Sequence, residues 1–171
     1  MENREIANVL DEIADLLEIG GENFFRVRAY RNAARIARDF PEPIASLSRE
    51  QLDEIPGIGA DLAEKLATIA ATGDLPLRHE LEKKVPRGLV ELRSIRGLGP
   101  KRIKLLADRL NVRDKESLRR AAESGDIAKI PRLGEKFAAQ VLKALAEPGA
   151  GSEARMLHAD AAPIVAALLA H

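Results

Sequence analysis

The chain has 171 residues, 46% of them hydrophobic, and its 27 lysines and arginines balance 27 aspartates and glutamates. Aromatic residues make up only 3% and cysteine is absent, which excludes a disulfide framework, thiolate metal sites and a cysteine nucleophile. A core built from aliphatic side chains and alanine favours an all-α fold of one compact domain or two small ones.

The N-terminus, MENREIANVL, carries acids where a secretory signal would carry positive charge. No apolar run approaches the roughly 20 residues needed to cross a bilayer. We therefore expect a soluble intracellular protein with no membrane partner.

Two helices are predicted at the start of the chain. Apolar residues between 6 and 17 follow the spacing of one helical face, and Gly20-Gly21 ends that helix. Asn23 can cap a second helix that runs to about Phe40, before Pro41 and Pro43. The sequence SREQ at 48–51 then forms a capping box for a short third helix.

Charge is distributed unevenly over these two helices. Residues 1–22 hold seven acids against Arg4 alone, whereas residues 23–38 hold five arginines and no acid. Some of the arginines can pair with the acidic first helix, but we favour phosphate contacts for Arg26, Arg28 and Arg31. The neutral total therefore conceals a basic face.

Three segments form an internal repeat: LDEIPGIGADLAEKLATIA from 52, LRSIRGLGPKRIKLLADRL from 92 and IAKIPRLGEKFAAQVLKAL from 127. Each consists of a short helix end, a hairpin and a longer helix. Their spacings of 40 and 35 residues are typical of supersecondary units that bury one face against their neighbours.

The hairpin glycines predict a seat for a phosphate group. Gly57 and Gly59, like Gly97 and Gly99, permit positive φ and leave room for a ligand, so backbone N–H groups can converge at the helix start. Ile58 and Leu98, between the glycines, are expected to turn inward. The alternative is an ordinary corner between two helices. Repetition favours the phosphate seat, as do the basic residues Lys65, Lys101, Arg102 and Lys104 on the helices that follow.

Four motifs carry a family resemblance: ENFFRVRAYRNAAR (22–35), IPGIGADLAEKLATIAATGDL (55–75), IRGLGPKRIKLL (95–106) and IPRLGEKFAAQVL (130–142). With them the chain resembles tandem helix-hairpin-helix proteins and, more specifically, the N-terminal region of X-family DNA polymerases of the bacterial, polymerase-beta-like type. The resemblance implies that the first hairpin grips the 5′-phosphate side of a DNA gap and that the second contacts the primer side.

The resemblance also implies a division of the chain. Residues 1–76 correspond to the lyase-type N-terminal domain, and 77–147 to a second helical subdomain with the second hairpin and a degenerate third one. Residues 148–171 correspond to a linker and an apolar helix leading toward the palm. The palm's paired aspartates are missing, since no Asp-x-Asp occurs. We expect no polymerase activity from this chain, and its abrupt apolar end favours a fragment.

Lys65 stands, by resemblance, where eukaryotic members of the family carry a lysine that forms a Schiff base with 5′-deoxyribose phosphate. Arg26 and Tyr30 match residues of that pocket, but Asp61 and Leu77 replace basic residues and Phe25 replaces a histidine. An Asp61–Lys65 pair one turn apart would keep the amine charged, whereas a nucleophilic lysine must be neutral. Lyase activity therefore remains an alternative, beside a solvated lysine on a helix face.

No cofactor is required by this interpretation. By resemblance alone, backbone carbonyls would hold K⁺ or Na⁺ at the hairpins; these are the carbonyls of Asp53, Ile55, Ile58, Arg93, Ile95 and Leu98. The three histidines are too scattered to predict a metal site. In the third hairpin Arg132 replaces the first glycine, and we assign that unit mainly to packing.

These observations favour a monomer that binds DNA without sequence preference. The resemblance implies that it binds at gaps or 5′-phosphorylated ends in base excision repair, beside other repair proteins, in the bacterial cytoplasm and associated with the nucleoid. One alternative is a 5′-deoxyribose-phosphate lyase that uses Lys65. The other is a helical protein-interaction module that kept the fold and lost DNA binding.

Overall fold

The computed structural model describes residues 1–147; the connector and apolar helix predicted at 148–171 lie outside the described residues. Every regular element in the described part is helical, which confirms the all-α prediction. The helices are α1 (Asn3–Ile19), α2 (Phe24–Asp39), α3 (Arg49–Asp53), α4 (Ala60–Thr72), α5 (Pro76–Lys84), α6 (Arg87–Glu91), α7 (Pro100–Leu110), α8 (Lys115–Glu123) and α9 (Glu135–Ala146). Single 3₁₀ turns occur at Ile44–Ser46, Leu92–Ser94 and Ile127–Lys129.

The chain divides into two compact units, Met1–Arg87 and a second that begins at Gly88. Helix α5 packs on α1 and so belongs to the first unit, whereas the sequence-based division placed residues from 77 onward in the second. Between residues 1 and 147 no helix combines the length and the apolar character that a membrane span requires.

The first unit is organised around α1, whose apolar face is buried. Ile6, Leu10, Ile13 and Leu17 are fully buried, and α2 packs against α1 more extensively than any other element does. Three alanines of α2, Ala33, Ala34 and Ala37, are also fully buried. Small side chains at these positions allow the two helices to approach closely.

Helix boundaries follow the predicted capping signals. The Asn23 side chain accepts a 2.8 Å hydrogen bond from the backbone N–H of Phe25 at the start of α2. Ser48 and Gln51 form the reciprocal capping box of α3. The pattern did not indicate the role of Asn3, whose amide donates to the carbonyls of Phe40 and Glu42 while its oxygen accepts from the N–H of Ile44. Asn3 thereby fixes the segment that leads to α3.

The second unit contains α6 to α9, and α8 packs against α9. Asp114 and Ser117 cap the start of α8 reciprocally. A Cβ on Gly88 would lie 2.2 Å from the carbonyl oxygen of Arg113, so only glycine allows these two backbones to meet. This contact joins α6 to the loop between α7 and α8.

The three repeats form hairpins with one shared backbone geometry. The first turn residue has positive φ in each: +91° at Gly57, +89° at Gly97 and +76° at Arg132. The next residue donates its N–H to the carbonyl three residues earlier, at 2.9 Å for Ile58, 3.1 Å for Leu98 and 3.1 Å for Leu133. These three apolar side chains are buried, as predicted for Ile58 and Leu98.

The two glycines of a pair differ in backbone conformation. The sequence pattern predicts positive φ at both, but Gly59 and Gly99 are extended, with φ of −95° and −82°. Gly57 is also confined by its neighbours, because a Cβ there would lie 2.9 Å from Cδ1 of Ile36 on α2. At Gly59 no atom lies within 4 Å of such a Cβ.

This difference predicts opposite responses to one substitution. Gly57→Ala is expected to lower the free energy of unfolding by about 1–2 kcal/mol, because an L-residue resists this conformation and the methyl group meets α2. Gly59→Ala should change it by less than ~0.5 kcal/mol. Urea denaturation followed by circular dichroism measures both, and equal effects of the two substitutions would contradict the geometry.

Candidate functional site

The candidate site in each unit is the start of the helix that follows the hairpin. Helix α4 begins after Gly59 and α7 after Gly99, and neither cap residue supplies a side-chain acceptor. The first intrahelical bonds are from Ala63 N to Gly59 O, at 2.8 Å, and from Ile103 N to Gly99 O, at 3.0 Å. The N–H groups of each first turn therefore lack an intrahelical partner, an arrangement that favours an anion.

The space beside the two cap glycines is open. No atom lies within 4 Å of a Cβ placed on Gly59, Gly97 or Gly99. A ligand can therefore approach both cap glycines on this side without displacing a side chain. The side chains of Ile58 and Leu98 are buried, as predicted, and their N–H groups are already bonded within the turn. They position the hairpin.

The predicted arginines of α2 differ in their availability. Arg31 donates at 2.8 Å to both Asp15 and Glu18 of α1. Burial opposes the charge of Arg31, but hydrogen bonds to Glu18 and Asp15 outweigh it and raise the pKa of the guanidinium. Arg26 lies 3.4 Å from Glu22 in an exposed pair. Such an exposed pair contributes little and can exchange for a phosphate.

Arg28 is the arginine of α2 best placed for a ligand. Its side chain is exposed, and within the described residues it forms no hydrogen bond or ion pair. Two large apolar side chains, Phe24 and Phe25, are exposed one turn before it, at 58% and 76%. Their rings meet edge to face, with centroids 5.8 Å apart.

Lys65 forms the ion pair with Asp61 that the sequence predicts. Partial burial lowers the pKa of Lys65, but the Asp61 carboxylate and the nearby Tyr30 hydroxyl outweigh burial, so the pKa is raised. The amine lies 5.5 Å from the centroid of the Tyr30 ring. This environment keeps the amine protonated at neutral pH.

Tyr30 is buried beneath Lys65 and carries an unsatisfied group. Only 3% of the residue is exposed, and its hydroxyl has no hydrogen-bond partner of normal geometry among the described residues. Its approach to Lys65 falls short of that geometry.

In the second unit, Arg102 connects the hairpin to α9. Its guanidinium donates to the carbonyl of Gly97 at 2.8 Å and lies over the Phe137 ring, 4.8 Å from the ring centroid. Arg102 thus holds the hairpin in place, and its remaining N–H groups are exposed. Lys101, its neighbour on α7, is exposed and has no acidic partner within residues 1–147.

The two units carry opposite net charge, which the sequence analysis missed. Residues 1–87 contain 12 lysines and arginines against 17 aspartates and glutamates, whereas residues 88–147 contain 14 against eight. Counting charge separately for each half would have revealed this difference. The exposed cations of the second unit include Arg96, Lys101, Arg109, Arg113, Arg119, Arg120, Arg132, Lys136 and Lys143.

Two of the backbone carbonyls predicted to hold a monovalent cation accept hydrogen bonds within their turns. In the first hairpin the carbonyl of Ile55 accepts the N–H of Ile58, and in the second that of Ile95 accepts the N–H of Leu98. Each retains a second lone pair. Residues 1–147 contain no group of three or more histidine, aspartate or glutamate side chains that could hold a metal ion. Any ion here would depend on the backbone.

Comparison with known proteins identifies two matching families. Residues 1–75 match the helix-hairpin-helix domain, and residues 89–147 match the SAM-like helix-hairpin-helix tandem. The chain is 32% identical over 149 residues to the DNA polymerase/3′-5′ exonuclease PolX of Bacillus subtilis. That alignment covers 87% of this chain and 26% of the Bacillus protein. Over 81 residues the chain is 35% identical to the type-X family DNA polymerase pol4 of Schizosaccharomyces pombe, covering 47% of this chain and 15% of pol4.

The Asp61–Lys65 pair predicts a specific change in titration. Asp61→Asn should lower the pKa of Lys65, because the carboxylate is what outweighs burial. Since the folded pKa lies above the ordinary value of 10.5, the pair stabilises the fold at lower pH and ceases to do so as pH rises through the raised value. NMR titration of ¹³Cε-labelled lysine measures this pKa.

Glu64→Gln is the matched control for this titration. Glu64 precedes Lys65 in sequence but pairs with Arg49, at 3.7 Å. It should leave the pKa of Lys65 unchanged. An equal change in both variants would show that Asp61 has no special role.

Proposed function

We propose that this chain, whose helix-hairpin-helix domains match the N-terminal region of an X-family DNA polymerase, binds DNA through its backbone phosphates without reading base sequence. The observation that carries the proposal is the duplicated helix start. At Gly59 and again at Gly99, a helix N-terminus without a side-chain cap follows a hairpin of the same geometry, and no atom lies within 4 Å of a Cβ on either glycine. The helix start at Gly134 is similar, but there Arg132 replaces the first glycine of the hairpin. Such a helix start binds phosphate groups.

The charge difference between the units supports a division of labour in this binding. Long-range attraction to a polyanion comes from the second unit, in which cations outnumber acids. The first unit repels DNA on average, so its contribution depends on local groups, namely the N–H groups after Gly59 and the exposed Arg28. Contacts of these kinds position DNA but carry no sequence information.

We also propose a preferred DNA structure, on the strength of the family resemblance. A gap or nick presents a terminal 5′-phosphate, which carries more negative charge than a phosphodiester. The hairpin of the first unit would take this group, in the context of base excision repair. The backbone carbonyls, among them those of Ile55 and Ile95, would hold K⁺ or Na⁺ beside the phosphate. The bound ion would supply positive charge there.

Fluorescence titration of labelled duplexes tests the phosphate seats. Gly59→Val should weaken binding to a gapped, 5′-phosphorylated duplex roughly tenfold, the order expected for lost charge-assisted hydrogen bonds, and should abolish the preference over the unphosphorylated duplex. Gly99→Val should weaken both duplexes equally. Each substitution is compatible with the backbone, because both residues are extended and unobstructed.

Gly134→Val provides a matched control for this titration. Gly134 caps α9, is extended and has no neighbour within 4 Å of a Cβ. If the third hairpin serves packing, this variant binds like the wild type. A wild-type protein that fails to bind either duplex would overturn the proposal and favour the protein-interaction module.

A second candidate function is removal of 5′-deoxyribose phosphate. It is favoured by one observation, the position of the Lys65 amine 5.5 Å from the centroid of the buried Tyr30 ring. In this reaction the amine attacks the C1′ aldehyde and expels water to form an imine. Loss of a C2′ proton then breaks the C3′–O bond and releases the DNA strand with its 5′-phosphate, and water hydrolyses the imine to regenerate the amine. Asp61 opposes the first step because it keeps the amine protonated.

Borohydride trapping on a 5′-deoxyribose-phosphate duplex tests this activity. If Lys65 acts as the nucleophile, a covalent adduct forms with the wild type and is lost in Lys65→Arg. Asp61→Asn should increase the trapping rate, because it lowers the pKa of the attacking amine. Absence of any adduct that depends on Lys65 would exclude the lyase, whereas phosphate binding would be unaffected.

A further inference from the structure

A polar groove lies in the second unit between its hairpin and α9. Its volume is about 310 Å³, and it is lined by Arg96 and Gly97 from the hairpin, by Gln140, Lys143 and Ala144 from α9, and by Glu147 just after α9. The lining residues of α9 are spaced three and four apart, so they share one helical face. Phe137, Ala138 and Val141 are buried on the adjoining face.

We propose that this groove binds a phosphodiester group of DNA next to the one held at the helix start after Gly99. The inference rests on the proposed function and extends it. Lys143 and Gln140 would contact the phosphate from one wall and Arg96 from the other. The third repeat would then contribute through the side of its helix instead of through its hairpin.

The chemistry of the lining favours an anion. Arg96 and Lys143 are exposed, and neither forms an ion pair or a side-chain hydrogen bond within residues 1–147. Gln140 adds an amide donor that needs no charge. Glu147 is the one acid of the lining and opposes binding at that end of the groove. Two cations and one carboxylate leave a positive balance.

The shape of the groove comes from two small residues. Gly97 has no side chain and no atom within 4 Å of a Cβ, and Ala144 is the smallest side chain on that face of α9. With a volume of about 310 Å³, the groove is large enough for a phosphate group.

The relative position of hairpin and α9 is fixed by Arg102. The same guanidinium donates to the carbonyl of Gly97 and lies over the ring of Phe137 on α9. The two walls are therefore connected by one side chain. Preorganised walls lower the entropy cost of ligand binding.

Salt-dependent titration of a labelled duplex tests the groove in the full chain. Lys143→Ala should reduce the slope of log K against log salt by about 0.9, the amount expected for one phosphate contact on duplex DNA. Ala144→Leu fills the groove without changing charge and should weaken binding as well. Glu147→Gln should strengthen it, because it removes the opposing carboxylate.

Lys115→Ala is the matched control, because it removes the same charge from the same unit at the start of α8, outside the groove. Its slope should change less than that of Lys143→Ala. If Lys143→Ala matches Lys115→Ala and Ala144→Leu binds like the wild type, the groove proposal is wrong. In that case a loss of binding in Gly99→Val would still support the phosphate seat.

A second titration separates a DNA phosphodiester from a free anion. Inorganic phosphate, titrated alone against the wild type and against Lys143→Ala, should bind both equally weakly at millimolar concentration. Tighter phosphate binding by the wild type, with equal duplex affinity in the two proteins, would mean that the groove binds free phosphate instead, and the proposal would be overturned.

Discussion

The fold depends on a turn that reverses the chain within three residues and is held by a hydrogen bond and a buried side chain. A residue at positive φ makes the reversal, and the next residue bonds back to the carbonyl three positions earlier and buries its side chain. One side chain of each turn therefore packs in the core, although the turn itself lies at the surface. Because the reversal is rigid, the following helix starts in a fixed direction, and its N–H groups stay exposed to a ligand.

The turn is the same in all three repeats, but the charged residues around it differ between the two units. In the first unit, acids of α1 pair with Arg31 and Arg38 of α2, through contacts of 2.8 and 2.7 Å. Two of the five arginines of α2 therefore hold the two helices together. In the second unit, few acids are available and most cations remain exposed. In the proposed binding, the second unit would thus attract DNA through its net charge, whereas the first would contribute local contacts.

Local signals in the sequence predicted the parts of the structure that depend on neighbouring residues. The caps at Asn23 and Ser48, the inward side chains of Ile58 and Leu98, and the Asp61–Lys65 pair all follow from spacing along a few residues. Periodicity likewise predicted the helices of the three repeats.

Features that depend on distant residues could not be predicted in this way. The clamp formed by Asn3 joins positions about 40 residues apart, and the groove beside Gly97 needs a helix from another repeat. The separate roles of Gly57 and Gly59 depend on φ and on the position of Ile36, neither of which has a signature in the letters PGIG.

The positive φ of Arg132 bears on how such sequences diverge. An arginine occupies the position of Gly57 and Gly97 and still forms the turn. The first glycine can therefore be replaced, but the strain of positive φ lowers the free energy of unfolding. The second glycine is under no such conformational demand, yet Gly134 is present there too. In a distant relative, loss of the first glycine would therefore say little about ligand binding, whereas loss of the second would be the more informative change.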